Sequence, residues 1–336
     1  MNLELLKILE ADFKKNFSKT IASRYWHRRT NKIINNLKKK GMEDFRASNS
    51  GVGIGFSDHK NTDIRNVLGI REKLFSNFFN FGIFKKIYDQ QIKLTKFYCD
   101  YGLNFKKSYY ENNEIVKDLL NIYKFENTCK WGAVDKINFN NNDIAIIYLL
   151  MANRINFINK KINLSKINSF CEIGSGFGAN IHFLQTNFLN VKKIICIDIF
   201  PTIFILTEYL KSIYGNKVKD YSYFREQEEI KFESNDELEI LCVPNWEINK
   251  IKCQIDHLHN AHSFVEMSSD QLKLYNNKIF QPYTKSASFV FYQRDIKEKT
   301  FNSREILQYF SASFENYELP LIESFKTNDQ ISIFQK

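Results

Sequence analysis

An acid and three alternate glycines, Glu172, Gly174, Gly176 and Gly178, are followed twenty residues after the last glycine by a second acid, Asp198. Glycines at this spacing let a ligand lie against bare backbone, because they accept positive φ and carry no Cβ to collide with it. A carboxylate at the position of Asp198 suits the paired hydroxyls of a ribose, by the geometry of dinucleotide-binding folds. Together they predict a pocket for a nucleoside-bearing cofactor. The stretch Gly174 to Ala179 also satisfies the looser dinucleotide fingerprint, so NAD stands as an alternative. Glu172 argues against it: a carboxylate there sits poorly beside a pyrophosphate and well beside an ammonium and a sulfonium.

These residues need a strand, a tight turn and a helix to place them. Phe170 to Ile173 is a short apolar run ending in the turn, and Ala179 to Phe188 has helical apolar spacing. Lys193 to Asp198 reads as the second strand. Thr202 to Tyr214 reads as a helix closed by Gly215, Leu238 to Val243 and Ile255 to Asn260 as strands, and Ser268 to Phe280 as a helix capped by Ser268. Ser286 to Gln293 makes a fifth strand, Ser303 to Phe310 a helix, and Glu315 to Phe325 with Gln330 to Phe334 a hairpin through Lys326 to Asp329. Upstream, Asp143 is expected to cap a helix running to about Lys160. The alternation of strands and helices predicts a doubly wound α/β sheet of seven strands ending in an antiparallel hairpin.

Ligands of such sheets bind beyond the carboxyl ends of the strands. After the third strand come Pro244, Asn245 and Trp246, of which Asn245 and Trp246 are expected to bond and stack on adenine, with plain core an equal alternative for Trp246. After the fourth come Asn260, a cofactor contact, then His262 and Glu266; after the fifth come Gln293, Arg294 and Asp295. Attack by an acceptor hydroxyl on a sulfonium-bearing cofactor needs a base to take the hydroxyl proton, and imidazole suits that task near neutrality. His262 is the first choice, His259 the next, with Glu266 and Asp295 behind. His257, His259 and His262 also invite a metal reading, but no nearby Cys or H-x-x-x-H helix completes a zinc set, nothing singles out a magnesium site at Asp256, Glu266 and Asp295, and no metal is assigned.

The segment Phe170 to Gly178 with Asp198 resembles motif I and the ribose acid of class I S-adenosylmethionine-dependent methyltransferases. The resemblance implies their Rossmann-like sheet and S-adenosyl-L-methionine as cofactor. Its carry-over to single residues stops at Glu172, Gly174, Gly176, Gly178 and Asp198. The fourth-strand exit lacks the N/D-P-P-Y/F turn of amino-methyltransferases, which disfavours base N-methylation. With Lys130-Trp131-Gly132 and Ile197 to Pro201, the segment Asn260 to Met267 is similar to sugar O-methyltransferases of bacterial surface-polysaccharide clusters, over about residues 125–336. That likeness implies methylation of a sugar hydroxyl in capsule, lipopolysaccharide or related glycan synthesis, on a nucleotide-linked or lipid-linked acceptor.

The 336-residue length suggests this domain over 126–336 and a mainly helical accessory region over 1–125 that covers substrate or pairs subunits, a homodimer being open. Residues 1–140 hold 26 Lys and Arg against 15 Asp and Glu, and the remainder 22 against 23, so the +10 excess is N-terminal. A basic block admits an RNA methyltransferase, but Lys38-Lys39-Lys40 is its only tight run and lacks aromatic interleaving; a solvated helical face is preferred, with no nucleic-acid partner. A methyltransferase-like binding or assembly subunit without catalysis is the third reading, against which the intact Glu172, glycine set and Asp198 count. Ala47 to Asn61, with Gly51, Gly53 and Gly55, reads as a plain loop, and Phe75, Phe78, Phe79, Phe81 and Phe84 as core or subunit interface. Arg28, Arg29, Trp131 and Arg294 are noted as contacts to a sugar phosphate. The six cysteines form no C-x-x-C pair, and no leader or apolar run of eighteen residues is found, so a cytoplasmic protein is expected, peripheral attachment to the inner membrane remaining compatible.

Overall fold

The computed structural model describes residues 1–16, 24–42, 45–46, 90, 108–132, 136–291, 303–319 and 329–336. The glycine loop 47–61, the phenylalanines at 75–84, Cys99, Gln293, Arg294, Asp295 and the turn 326–328 lie outside these residues, as do the side chains of Arg28 and Arg29.

Three strands form the centre: β3 (Ser169–Ile173), β4 (Lys193–Asp198) and β6 (Glu239–Pro244), each buried along its whole length. Their near-continuous apolar runs are what parallel strands covered on both faces require. With β5 (Val218–Lys219), β7 (Ile255–Ala261), β8 (Thr284–Phe291), β9 (Glu315–Glu318) and β10 (Gln330–Gln335), they order as β5-β6-β4-β3-β7-β8-β10-β9. Pairing is parallel from β5 to β8; β10 then runs antiparallel to both β8 and β9. This is the Rossmann-like doubly wound sheet with a terminal antiparallel hairpin, enlarged by the two-residue edge strand β5 that periodicity was too short to show. Strand order reverses at β3, which has β4 on one side and β7 on the other. The crevice beyond the carboxyl ends of those strands is where such sheets bind ligands.

Helices α1 (Leu3–Lys15), α2 (Arg24–Lys40), α3 (Glu114–Ile122), α4 (Ile146–Ile162), α5 (Ala179–Asn187), α6 (Thr202–Tyr214) and α7 (Ser269–Tyr275) accompany the sheet. α6 ends against Gly215 and α7 starts from a capping box of Ser268 and Gln271, both as sequence spacing predicts. The helix expected from Asp143 differs. Asn142–Ala145 is instead a strand, β2, antiparallel to β1 (Lys136–Phe139), and α4 begins only at Ile146. Asn140 and Asn141 both adopt positive φ, 49° and 63°, a tight hairpin turn that asparagine tolerates better than most residues. Asp143 bonds across that hairpin to Lys136 and to Asn138, rather than to a helix end.

The N-terminal helix is tied to the sheet domain. α1 buries Leu5, Leu6, Leu9 and Phe13, and Phe13 meets Phe200 and Trp246 at centroid distances of 5.3 and 6.1 Å. Beside them Asp12 takes a two-pronged contact from Arg225, at 2.5 and 3.1 Å. Among the described residues no helix is long and apolar enough to cross a membrane.

Candidate active site

The turn between β3 and α5 is a left-handed sequence. Gly174, Gly176 and Gly178 have φ of 75°, 60° and 94°. At Gly174 no other residue fits, since an added Cβ would overlap the Ser263 side chain as well as strain the backbone. Gly178 precedes the first turn of α5 and abuts Leu206 and Leu210 of α6. Two bonds fasten the turn: Gly174 N–H donates to the Ile197 carbonyl at 2.7 Å, and Gly176 N–H to Asp198 Oδ2 at 2.8 Å. Asp198 Oδ1 accepts from its neighbour Ile199 N–H at 2.7 Å.

Two acids therefore stand at the ends of adjacent strands. Glu172 is buried and accepts at Oε1 from Asn180 of α5, at 2.9 Å, while Oε2 has no partner among the described residues. Burial pushes its carboxyl up to about 8, only partly opposed by the Asn180 bond. Burial likewise lifts Asp198 to about 7, against two backbone hydrogen bonds that favour its charged form, with the Glu266 charge adding to the rise. Neither acid has a salt-bridge partner among the described residues.

The exit of β7 carries the second cluster. Asn260 is fully buried; its amide donates to the Ile173 carbonyl at 2.7 Å and to Ser263 Oγ, and its oxygen accepts from Phe264 N–H at 3.3 Å. It braces the ends of β3 and β7 to one another. His262 follows with φ of 66°, an uncommon conformation for a residue with a side chain and a frequent companion of functional sites. Arg154 of α4 donates to His262 Nε2 at 2.6 Å, and Asp329, the residue just before β10, lies 3.2 Å from the same nitrogen and 3.3 Å from Arg154. Arginine cannot accept, so its approach requires a lone pair on Nε2, whereas Asp329 is served by a proton there. Burial raises the Asp329 carboxyl, but the His262 contact and the Arg154 charge outweigh it and hold the group below the usual range. Glu266 is exposed at the end of the short helical turn that follows His262, and its charge is felt at Asp198.

Other expected site residues fall elsewhere. His259 is fully buried within the sheet and its Nδ1 meets Ser288 Oγ at 2.8 Å, which removes it from the strand exit where a base would sit. Its position two residues before the end of β7 is the cause. Trp246 turns into the core, donating to Tyr221 at 3.3 Å and packing edge-on against that ring at 5.8 Å, and so takes its packing role. Asn245 remains at the end of β6, buried, with Oδ1 unpartnered among the described residues. Trp131 packs edge-on to Phe45 and Tyr209, at 5.7 and 5.8 Å. No three His, Cys, Asp or Glu side chains gather as a metal site among the described residues.

Sequence reasoning missed Asn180, Arg154 and Asp329. Asn180 had a signal, lying two residues past the last glycine; Arg154 had a weaker one, as an arginine inside the apolar run of α4. Asp329 had none, because it reaches the cluster through sheet pairing 175 residues away from Arg154.

No known family model matches the chain, nor does any curated protein. Among solved structures it is similar to magnesium protoporphyrin IX methyltransferase from Synechocystis PCC 6803, at 11% identity and a TM-score of 0.39, covering 70% of this chain and 97% of that one. It is also similar to the methyltransferase domain of bacterial CtHen1, at 11% and 0.39 over 55% and 98%, and to a SAM-dependent methyltransferase from Aquifex aeolicus, at 13% and 0.34 over 53% and 87%. Likeness this faint carries neither substrate nor mechanism.

Proposed function

We propose that the protein is an S-adenosylmethionine-dependent O-methyltransferase whose acceptor is a sugar hydroxyl. The observation that carries the cofactor is the pair Glu172 and Asp198, two buried acids at the ends of neighbouring strands with no cation bonded to either among the described residues. A ligand bearing ammonium and sulfonium charges favours the ionised form of such carboxyls and is held by it, whereas a pyrophosphate offers them no counter-charge. The unpartnered Oε2 of Glu172 and Oδ1 of Asn245 add acceptors for N–H donors in the same crevice. Glu172 would face the amino-acid end and Asp198 the ribose. When bound, the cofactor supplies a methyl group on a sulfonium, open to in-line attack by an acceptor oxygen.

The sugar acceptor is supported by the likeness of Asn260 to Met267 to polysaccharide-cluster methyltransferases and by the polar cluster at the same place. Arg154, His262 and Asp329 present hydrogen-bonding groups suited to several hydroxyls. His262 takes the acceptor proton at Nε2 once the hydroxyl replaces Arg154 there. Proton arrival turns the Asp329 contact into an ion pair, so Asp329 stabilises the imidazolium while Arg154 withdraws to it. Calorimetric titration with S-adenosylhomocysteine, with NAD as control, tests the cofactor: one-site binding of the former alone is expected, and binding of NAD alone would overturn the reading.

A further inference from the structure

One peptide plane joins the two halves of the candidate site. Ile173 ends β3 and Gly174 opens the turn, and a trans peptide points its carbonyl and its N–H in opposite directions. On the N–H side, Gly174 donates to the Ile197 carbonyl at 2.7 Å, one residue before Asp198. On the carbonyl side, Ile173 accepts twice, from the Asn260 amide at 2.7 Å and from Ser263 Oγ at 3.3 Å. The proton count closes. Asn260 gives its other N–H to Ser263 Oγ, which leaves the hydroxyl proton for the carbonyl, while Asn260 Oδ1 accepts from Phe264 N–H at 3.3 Å. Gly174 is what admits this arrangement, because a Cβ there would overlap both Oγ and Cβ of Ser263.

His262 lies inside that set of bonds, directly before Ser263 and two residues after Asn260. Its own N–H donates to the Val290 carbonyl of β8 at 2.9 Å. Two residues on, Phe264 packs among Phe289, Phe310 and Tyr275 at centroid distances of 5.0, 5.3 and 6.2 Å. The φ of 66° at His262 is thus held between an aromatic anchor in the core and the 173–174 peptide at the turn. Rotating that peptide moves Ser263 or breaks its bonds, so the glycine turn and the His262 backbone cannot shift independently. We propose that Asn260 and Ser263 are positioning residues for His262: through the Ile173 carbonyl they tie its backbone to the glycine turn, so that a ligand settling the turn also settles the imidazole. The work of that imidazole as base, and the nature of the ligand, rest on the reading above; the tie does not.

Amide hydrogen exchange in the free protein tests the tie without any ligand. In Ser263→Ala the amides of Gly174 and His262 should both exchange at least about tenfold faster, relative to that of Ile195 in the centre of β4, which reports global opening. Gly174→Ala, which displaces Ser263 from the turn side, should speed His262 in the same relative sense. Faster exchange at His262 without Gly174 in the first variant, or an unchanged His262 in the second, would overturn the proposal. Saturation with S-adenosylhomocysteine tests the transmission. Exchange at His262 should slow by about fivefold or more in wild type and by less than about twofold in Ser263→Ala, both proteins being saturated. A hydroxyl that only added stability would leave the effect of the ligand on His262 equal in the two proteins, and that equality would refute the transmission. Failure of the ligand to bind either protein would sink the cofactor reading and leave exchange in the free proteins to decide the tie.

Discussion

Replacing Glu172 by Gln removes a titration that the fold itself creates, and the consequence is a change in how stability depends on pH. In the unfolded chain the carboxyl loses its proton near 4.5; in the folded protein, burial holds it to about 8. The folded state therefore binds one more proton between those values, and the stability it confers is fully present below the lower one and lost as pH rises through the upper. The slope is about 1.4 kcal/mol per pH unit, so wild type should lose about 2.5 kcal/mol through this group between about pH 6 and pH 9. Gln retains an oxygen for Asn180 and cannot ionise. Urea unfolding of both proteins at the two pH values measures the difference directly, and Asp198, shifted in the same direction, contributes equally to each. Parallel losses in wild type and Glu172→Gln would show that Glu172 is ionised in the folded protein at neutrality and would remove the physical basis for a neutral acid beneath the turn.

Gly174→Ala should destabilise the protein by about 2–4 kcal/mol in urea unfolding, from a left-handed alanine and the displaced Ser263, and adding Ser263→Gly should recover only the steric share; a change below about 0.5 kcal/mol would mean the turn can relax. His262→Ala should leave S-adenosylhomocysteine affinity within about twofold while lowering turnover of the acceptor by about 10²-fold or more, and undiminished turnover would exclude the imidazole as base.

The fold and the glycine turn were legible because their causes are local. Residues 170–178 carry an apolar run, then glycines where positive φ is required, and the run 193–198 ends on its acid at a strand terminus. Each of those properties depends on the covalent neighbours of the residue, and so does the capping box that opens α7. The hairpin at Asn140 and Asn141 is local too, but the apolar run behind it carries the stronger helical pattern and masks the turn. What distance in sequence conceals is which side chains share a site. His259 and His262 are three residues apart, yet one is sealed against Ser288 within the sheet and the other is held at its exit by Arg154 and Asp329. Strand register decided the first outcome, and the docking of α4 and β10 decided the second. The sequence by itself determined the sheet, the glycine cradle and the acids at its rim; only the tertiary structure determined their charge states, since these follow from burial and from partners brought in by packing.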